Sequence, residues 1–210
     1  MGNLFLHSIP KLGVDSYSLI PNVKIVERGA ISSKFIEIGI YELTQAIDYV
    51  HSVKYGYNSN YDDPLILFKE NKGTCTSKHT TIARLAKELN IPLFKNVGIY
   101  KMTEEIVTGT QEILNVHHIP YIPMIHCFLV YQQKRFDLTE GNLNGKNRVI
   151  DEFIQIKQVP PDFSQKEEYS WYKEVLRSVV LKLDEMKGTK EIEILKARQK
   201  GIFLLKSKIV

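Results

Sequence analysis

Disulfide chemistry has little to work with in this chain, whose 210 residues include only two cysteines, Cys75 and Cys127. Two are too few for a disulfide framework, and a reducing compartment disfavours even a single bridge. Long apolar runs are missing as well: no stretch approaches the roughly 18 residues that a membrane span requires. Met1 to Pro10 has neither a basic n-region nor a useful h-region, so no secretory leader is expected. Gly2 invites N-myristoylation, but Leu6 stands where that signal wants Ser or Thr. The expected setting is cytoplasmic, with no membrane partner. Internal repeats and low-complexity tracts are also absent.

Charge of one sign is nearly lacking. The formal net charge is +4, and all of the excess lies between Phe163 and Val210, where eleven Lys and Arg stand against seven Asp and Glu. Acids and bases alternate there. Nucleic-acid binders usually cluster their bases into a stripe, so this pattern reads as a solvated helix face and no nucleic-acid partner is expected.

The chain does have an ordinary globular balance, 43% apolar and 25% charged, and enough length for one sizeable core. A single domain over 1–210 is expected, with a core at about 35–150 and a C-terminal helical appendage at about 163–210. Residues 1–34 are rich in turn formers. Ile36, Ile38 and Ile40 alternate with Glu37 and Gly39, which suggests a short strand. Leu43, Ile47 and Val50 follow helical spacing, with Gly56 as a stop. Thr74 is a good N-cap for a helix running from Thr76 to Asn90. On that helix Cys75, His79, Ile82, Leu85, Ala86 and Leu89 share one face. Val97 and Ile99 suggest a strand at 93–101, and 103–120 reads as a loop with a short helix. Tyr121–Tyr131 and Lys134–Thr139 form a hairpin about Gln132 and Gln133. Tyr172, Val175, Leu176, Val179, Leu183 and Met186 then form a helical stripe ended by Gly188. A second helix follows through Ile192 and Leu195 to Gly201. Helices, then strands, then helices indicate an α+β fold.

One constellation carries chemistry. A thiol attacks carbonyls as the thiolate, and a helix N-terminus or a neighbouring imidazolium lowers its pKa from about 8.5. Cys75 sits at such an N-terminus. Gly73 would allow close backbone approach to a substrate, and the Cys75 N–H, unpaired in the first turn, is available to an oxyanion. A nucleophile of this kind needs a base held by a third group. In the hairpin, Tyr131 opposes Lys134, so Asp137 opposes Phe128 and shares a face with His126, two residues along. Such diagonal neighbours lie about 7–8 Å apart at the backbone. Cys127 points to the opposite face from His126, which argues against a Cys75–Cys127 bridge.

Gly73-Thr74-Cys75 opening a helix, His126 on a strand followed by an aromatic, and Arg135-Phe136-Asp137-Leu138-Thr139 together resemble the transglutaminase-like superfamily of the broad papain-like class, over roughly residues 65–145. The resemblance implies a Cys-bearing helix packed on an antiparallel sheet, His and Asp on adjacent strands, and thioester chemistry on amides. The only tryptophan, Trp171, is remote from these motifs, so a Trp oxyanion donor is not expected.

Blander readings exist for each residue. A lone Cys on a core-facing helix is usually a small hydrophobe. His79 reads as a satisfied core residue, His117 and His118 as solvated, Asn71 as a loop residue, and Lys78 as either a thiolate neighbour or a snorkelling side chain. Cys75, His79, His126 and Asp137 contain zinc-ligating types but no paired ligand spacing, so neither a metal nor a cofactor is expected. The expected activity is hydrolysis of a peptide or protein amide, or acyl transfer to an amine, through Cys75, His126 and Asp137. The alternative is a catalytically idle domain of the same fold that binds a protein or peptide.

Overall fold

A computed structural model describes Tyr17 and residues 19–209. The expectations for Met1–Pro10, Gly2 and Leu6 lie outside the described residues. The N-terminal half comprises α1 (Ala30–Glu37), α2 (Leu43–Ser52), β1 (Lys54–Tyr55), α3 (Ile66–Glu70), β2 (Lys72–Gly73) and α4 (Cys75–Glu88). The strand expected at Ile36–Ile40 is not formed. Ile31 and Phe35, one helical turn apart, are buried, Ile38 is exposed, and Gly39 at φ +80° ends the helix. The alternation of isoleucines thus straddles a helix terminus. Two backbone donors in the first turn of α1 are satisfied from a distance: Ile31 and Ser32 donate to the Glu88 carboxylate at 3.1 and 2.7 Å, which ties α1 to the end of α4.

Helix α2 stops at Ser52, before Gly56, because the chain turns into β1, which pairs in parallel with β2. Helix α4 buries Ile82, Leu85 and Ala86 in a core with Phe35, Leu43, Ile47, Leu129 and Phe136.

The second half builds β3 (Phe94–Met102), α5 (Thr110–His117), β4 (Ile122–Tyr131), β5 (Lys134–Phe136) and β6 (Gln155–Val159). The four strands form one antiparallel sheet in the order β5-β4-β3-β6. The β4–β5 hairpin has the expected register, Tyr131 opposite Lys134. Gln132 and Gln133 at φ 47° and 63° form its two-residue turn. Strand β5 stops at Phe136, three residues before the expected end, and among the described residues no strand pairs with that side of β4 from Phe128 back to Ile122.

Beyond β6 come α6 (Gln165–Ser178), two short 3-10 turns at Val180–Lys182 and Asp184–Met186, and α7 (Glu191–Ser207). Gly201 does not end α7; a Cβ there would sit 3.2 Å from Ile122 Cδ1, so it marks close packing of the helix on β4. The C-terminal helices share the sheet's core. Trp171, Tyr172, Val175 and Leu176 pack with Val97, Ile99 and Cys127, and Ala197 and Leu205 pack with Tyr100, Met102 and Ile122. Among the described residues no helix is long and apolar enough to cross a membrane.

Candidate active site

Cys75 is the first residue of α4 and is partly exposed, whereas Cys127 is fully buried; both are free thiols. Thr74 occupies the N-cap position but makes no capping bond; its hydroxyl donates instead to Tyr61 Oη at 3.3 Å. Gly73 serves packing, not substrate approach. A Cβ there would lie 2.8 Å from Ser77 Oγ and 3.1 Å from Leu67 Cδ1.

His126 and Asp137 are both buried, and His126 Nε2 lies 2.6 Å from Asp137 Oδ2. The other carboxylate oxygen, Oδ1, accepts from the Thr139 N–H at 2.9 Å and the Thr139 hydroxyl at 2.7 Å. Tyr17 Oη donates to the Asp137 carbonyl at 2.9 Å. The His126 ring is wedged edge-on between the rings of His79 and Tyr100, each 6.3 Å away at 85°. Its Nδ1 is buried and makes no complete hydrogen bond. Since Nε2 is committed to Asp137, Nδ1 is the nitrogen left to face the Cys75 thiol, with which the ring interacts.

Cys127 stands on the expected face and is not bridged to Cys75. Its side chain leaves β4 on the face opposite His126, yet it packs against Cys75, with its Sγ 3.6 Å from Thr76 Oγ1 and donating to Glu168 Oε2 at 3.9 Å. Successive strand residues point to opposite faces, so a group that touches both must stand at the strand's edge. Because β5 is short, that edge of β4 is open, and the first turn of α4 occupies it.

These contacts set the protonation states. The contact with Cys127 and the His126 cation hold the Cys75 thiol well below the ordinary thiol range, against the opposing effect of burial. Cys127 is pushed well above it, first by its contact with Cys75 and then by burial. Burial alone would lower His126, but the Asp137 carboxylate and the Cys75 thiolate outweigh it and raise the imidazole to about 9. Burial would raise Asp137, but the His126 cation overcomes it and holds the carboxyl well below 3.8. These shifts all favour the charged forms, a thiolate, an imidazolium and a carboxylate in sequence.

His79 is better placed than expected, without being a base. Its Nδ1 lies 2.7 Å from the Cys75 carbonyl, and its Nε2 accepts the Leu138 N–H at 2.8 Å. Accepting that N–H requires a bare Nε2, so Nδ1 carries the proton and donates to Cys75. The 3.4 Å approach of Nε2 to Asp137 Oδ1 is therefore a packing contact. His79 fastens the first turn of α4 to the segment that carries Asp137. Lys78 neither snorkels nor meets the thiolate. It is buried, bonded to the carbonyls of His51 and Val53 and to Asn142 Oδ1, and burial lowers it to about 8. His117 is not solvated either: it ends α5 with Nδ1 2.8 Å from Glu193 Oε2. Asn71 holds a left-handed C-cap of α3 at φ 48°.

Cys75 opens onto a cleft of about 500 Å³ walled by Tyr55, Tyr57, Tyr61, Tyr100 and Tyr169 together with Glu168, Lys146, Arg198 and Lys206. Sequence reasoning missed this wall, since its residues come from five separate segments and no spacing links them. Burial raises Glu168 to about 7, against the lowering effect of Lys95. A larger concavity, about 910 Å³, lies elsewhere around Ile106, Leu114, Ile150 and Phe153. It is lined by no cysteine or histidine, and two of its acids are engaged: Glu104 accepts from the Gly109 and Gln111 N–H groups, and Glu185 pairs with Lys101 at 2.7 Å. Among the described residues no group of three or more His, Cys, Asp or Glu is arranged to hold a metal ion. No protein-family model matches the chain, and no curated protein and no solved structure matches it either.

Proposed function

We propose that the chain is a transglutaminase-like cysteine acyl hydrolase or acyl transferase acting on amides, with Cys75 as nucleophile, His126 as acid and base, and Asp137 as orienter. One observation carries this reading: the His126 ring is fixed by a 2.6 Å bond from Nε2 to Asp137 while its buried Nδ1 keeps no hydrogen-bond partner except what arrives at Cys75. His117 shows the same half-paired pattern, with Nδ1 on Glu193 and Nε2 buried without a partner, but the His126 ring differs in interacting with the free thiol of Cys75. The sequence resemblance and the placement of Cys75 at a helix N-terminus, over an antiparallel sheet that carries the other two residues, support the same reading.

The chemistry follows from the protonation states. The Cys75 sulfur forms a bond to the carbonyl carbon, and the developing oxyanion meets the unpaired N–H groups of the first turn of α4. The C–N bond then breaks as the Nδ1 proton of His126 passes to the leaving amine, leaving a thioester and a neutral imidazole. Water or an amine, deprotonated by that imidazole, displaces the sulfur, which leaves as thiolate. His126 is again protonated, and the acid product departs. Hydrolysis needs no second substrate site and is the preferred outcome.

The test is trapping. Intact-mass spectrometry on rapidly acid-quenched mixtures with a peptide-amide and activated-ester library should show an acyl adduct that maps to Cys75 and is absent in Cys75→Ala. A well-folded protein that forms no adduct with any member of the library, yet binds peptides, would turn the reading to a binding domain.

A further inference from the structure

We infer that the cleft beside Cys75 is built for an acyl donor bearing carboxylate groups, an acidic peptide segment whose carbonyl is delivered to the thiol while its charge is received by Arg198, Lys146 and Lys206. This inference deepens the proposed acyl chemistry and rests on it for the identity of the scissile group.

Arg198 carries most of the weight. It stands on α7 with its guanidinium stacked on two rings, 4.7 Å from the centroid of Tyr172 and 5.7 Å from that of Tyr169. Its Nε is buried with no hydrogen-bond partner. Burying a guanidinium N–H without an acceptor is unfavourable unless something completes it. A planar guanidinium held against aromatic rings is also pre-oriented for a carboxylate, which it binds in a fork. Lys146 comes from the 141–149 loop, its Nζ 5.5 Å from the Tyr55 ring centroid, and Lys206 from the last turns of α7, its Nζ 4.8 Å from that of Tyr57. Among the described residues none of the three has a carboxylate within ion-pair distance, although the same surface pairs Lys196 with Glu193 and Arg177 with Glu191. The cleft thus gathers three cations without a carboxylate beside them, and of the other two bases of α7 one, Lys196, is paired.

The one acid in the cleft, Glu168, does not cancel this. It is largely buried near Lys95, and its raised value near 7 leaves it only partly ionised at neutral pH. The tyrosine walls add flat apolar area and hydroxyl donors, which suit a peptide rather than an inorganic anion. The helix expected from its sequence to present a solvated, mixed-charge face instead turns Arg198 toward the nucleophile.

The experiment uses the full chain and three matched peptide sets of one length. One carries Glu side chains and an amidated C-terminus, one is neutral with a free C-terminus, and one carries Lys with an amidated C-terminus. Binding to Cys75→Ala is read by fluorescence anisotropy at low and at physiological salt, and acyl-adduct formation on the wild-type protein by mass spectrometry. The first or second set should bind at least about tenfold more tightly than the third, and added salt should narrow the gap. Which of the two leads tells side-chain from terminal carboxylate. Arg198→Gln and the exposed Lys206→Gln should each shrink the ratio severalfold, and Arg198→Glu should turn it toward the Lys set, with thermal unfolding run alongside. Equal binding of all three sets by folded Cys75→Ala, or a ratio unmoved by both Arg198→Gln and Lys206→Gln, overturns the inference even if adducts form. Carboxylate preference with no adduct on any set upholds the cleft and overturns the acyl chemistry instead.

Discussion

Each of the two thiols tunes the other. The Cys127 thiol donates to Glu168 at 3.9 Å and packs beside Cys75, and its interaction with that side chain favours the thiolate, so it acts as a positioning residue for the nucleophile. Iodoacetamide should therefore modify Cys75 first, and the pH midpoint of that reaction should lie well below a free thiol's. Removing that thiol in Cys127→Ala should raise the midpoint by about one to two pH units, the equivalent of a hydrogen bond to a charged group. First labelling of Cys127 in native protein would remove the nucleophile assignment, and an unmoved midpoint in Cys127→Ala would remove its tuning role. Cys75→Ala and His126→Ala should each abolish nearly all turnover, and their combination should add little, because members of such a unit are strongly non-additive. Asp137→Asn should retain more activity than either. His79→Ala should lower the melting temperature as well as turnover, since its two nitrogens join α4 to Leu138. Full activity in folded His126→Ala would dismiss the triad.

At the scale of elements, the most informative joint is the one between α1 and α4. The Glu88 carboxylate receives two N–H groups of α1, and a Cβ on Gly29 would come within 2.4 Å of Glu88 Oε1. Glu88→Ala should destabilise the protein by about 1 kcal/mol, the usual effect of losing a helix N-terminal acceptor, as chemical denaturation would show. An unchanged midpoint would mean that water replaces the carboxylate fully. The same elements show why the sequence was only partly legible. The α4 helix, the hairpin turn at Gln132–Gln133 and its register could all be read, because each rests on local spacing and turn chemistry. The face shared by His126 and Asp137 followed from that register. Helix α1 was misread because its buried positions, Ile31 and Phe35, are outnumbered by isoleucines at and beyond its end. Strand β6 was missed because Ile156 and Val159 do not alternate, as suits an edge strand. The cleft walls and the Cys127 contact depend on which elements meet, and spacing along the chain does not encode that.

For the molecule as a whole, the buried ion pair links acidity to stability. His126 is raised from 6.5 to about 9. Its contribution is therefore complete below about pH 6.5 and is lost as pH climbs through about 9. Asp137 is depressed below its ordinary 3.8, so its contribution is present above that value and disappears as pH falls through the folded one. Thermal unfolding followed from pH 5 to 10 should decline by several degrees at the alkaline end, as His126 loses its proton near 9, because between about 6.5 and 8.5 the depressed Cys75 thiol works in the opposite sense and offsets the loss. The decline should flatten in Asp137→Asn; a variant as steep as the wild type would assign the loss to other groups. The short β5 has a consequence of a different kind. It leaves a stretch of β4 as a bare row of peptide groups, the sort of template on which another molecule's backbone can crystallise into an extra strand. The first turn of α4 stands in front of that row, and Tyr172 on α6 donates to its Pro123 carbonyl at 3.1 Å. The helix that presents the nucleophile is thus also a plug against self-association, and damage that loosens it should silence the site and make the protein sticky in a single event.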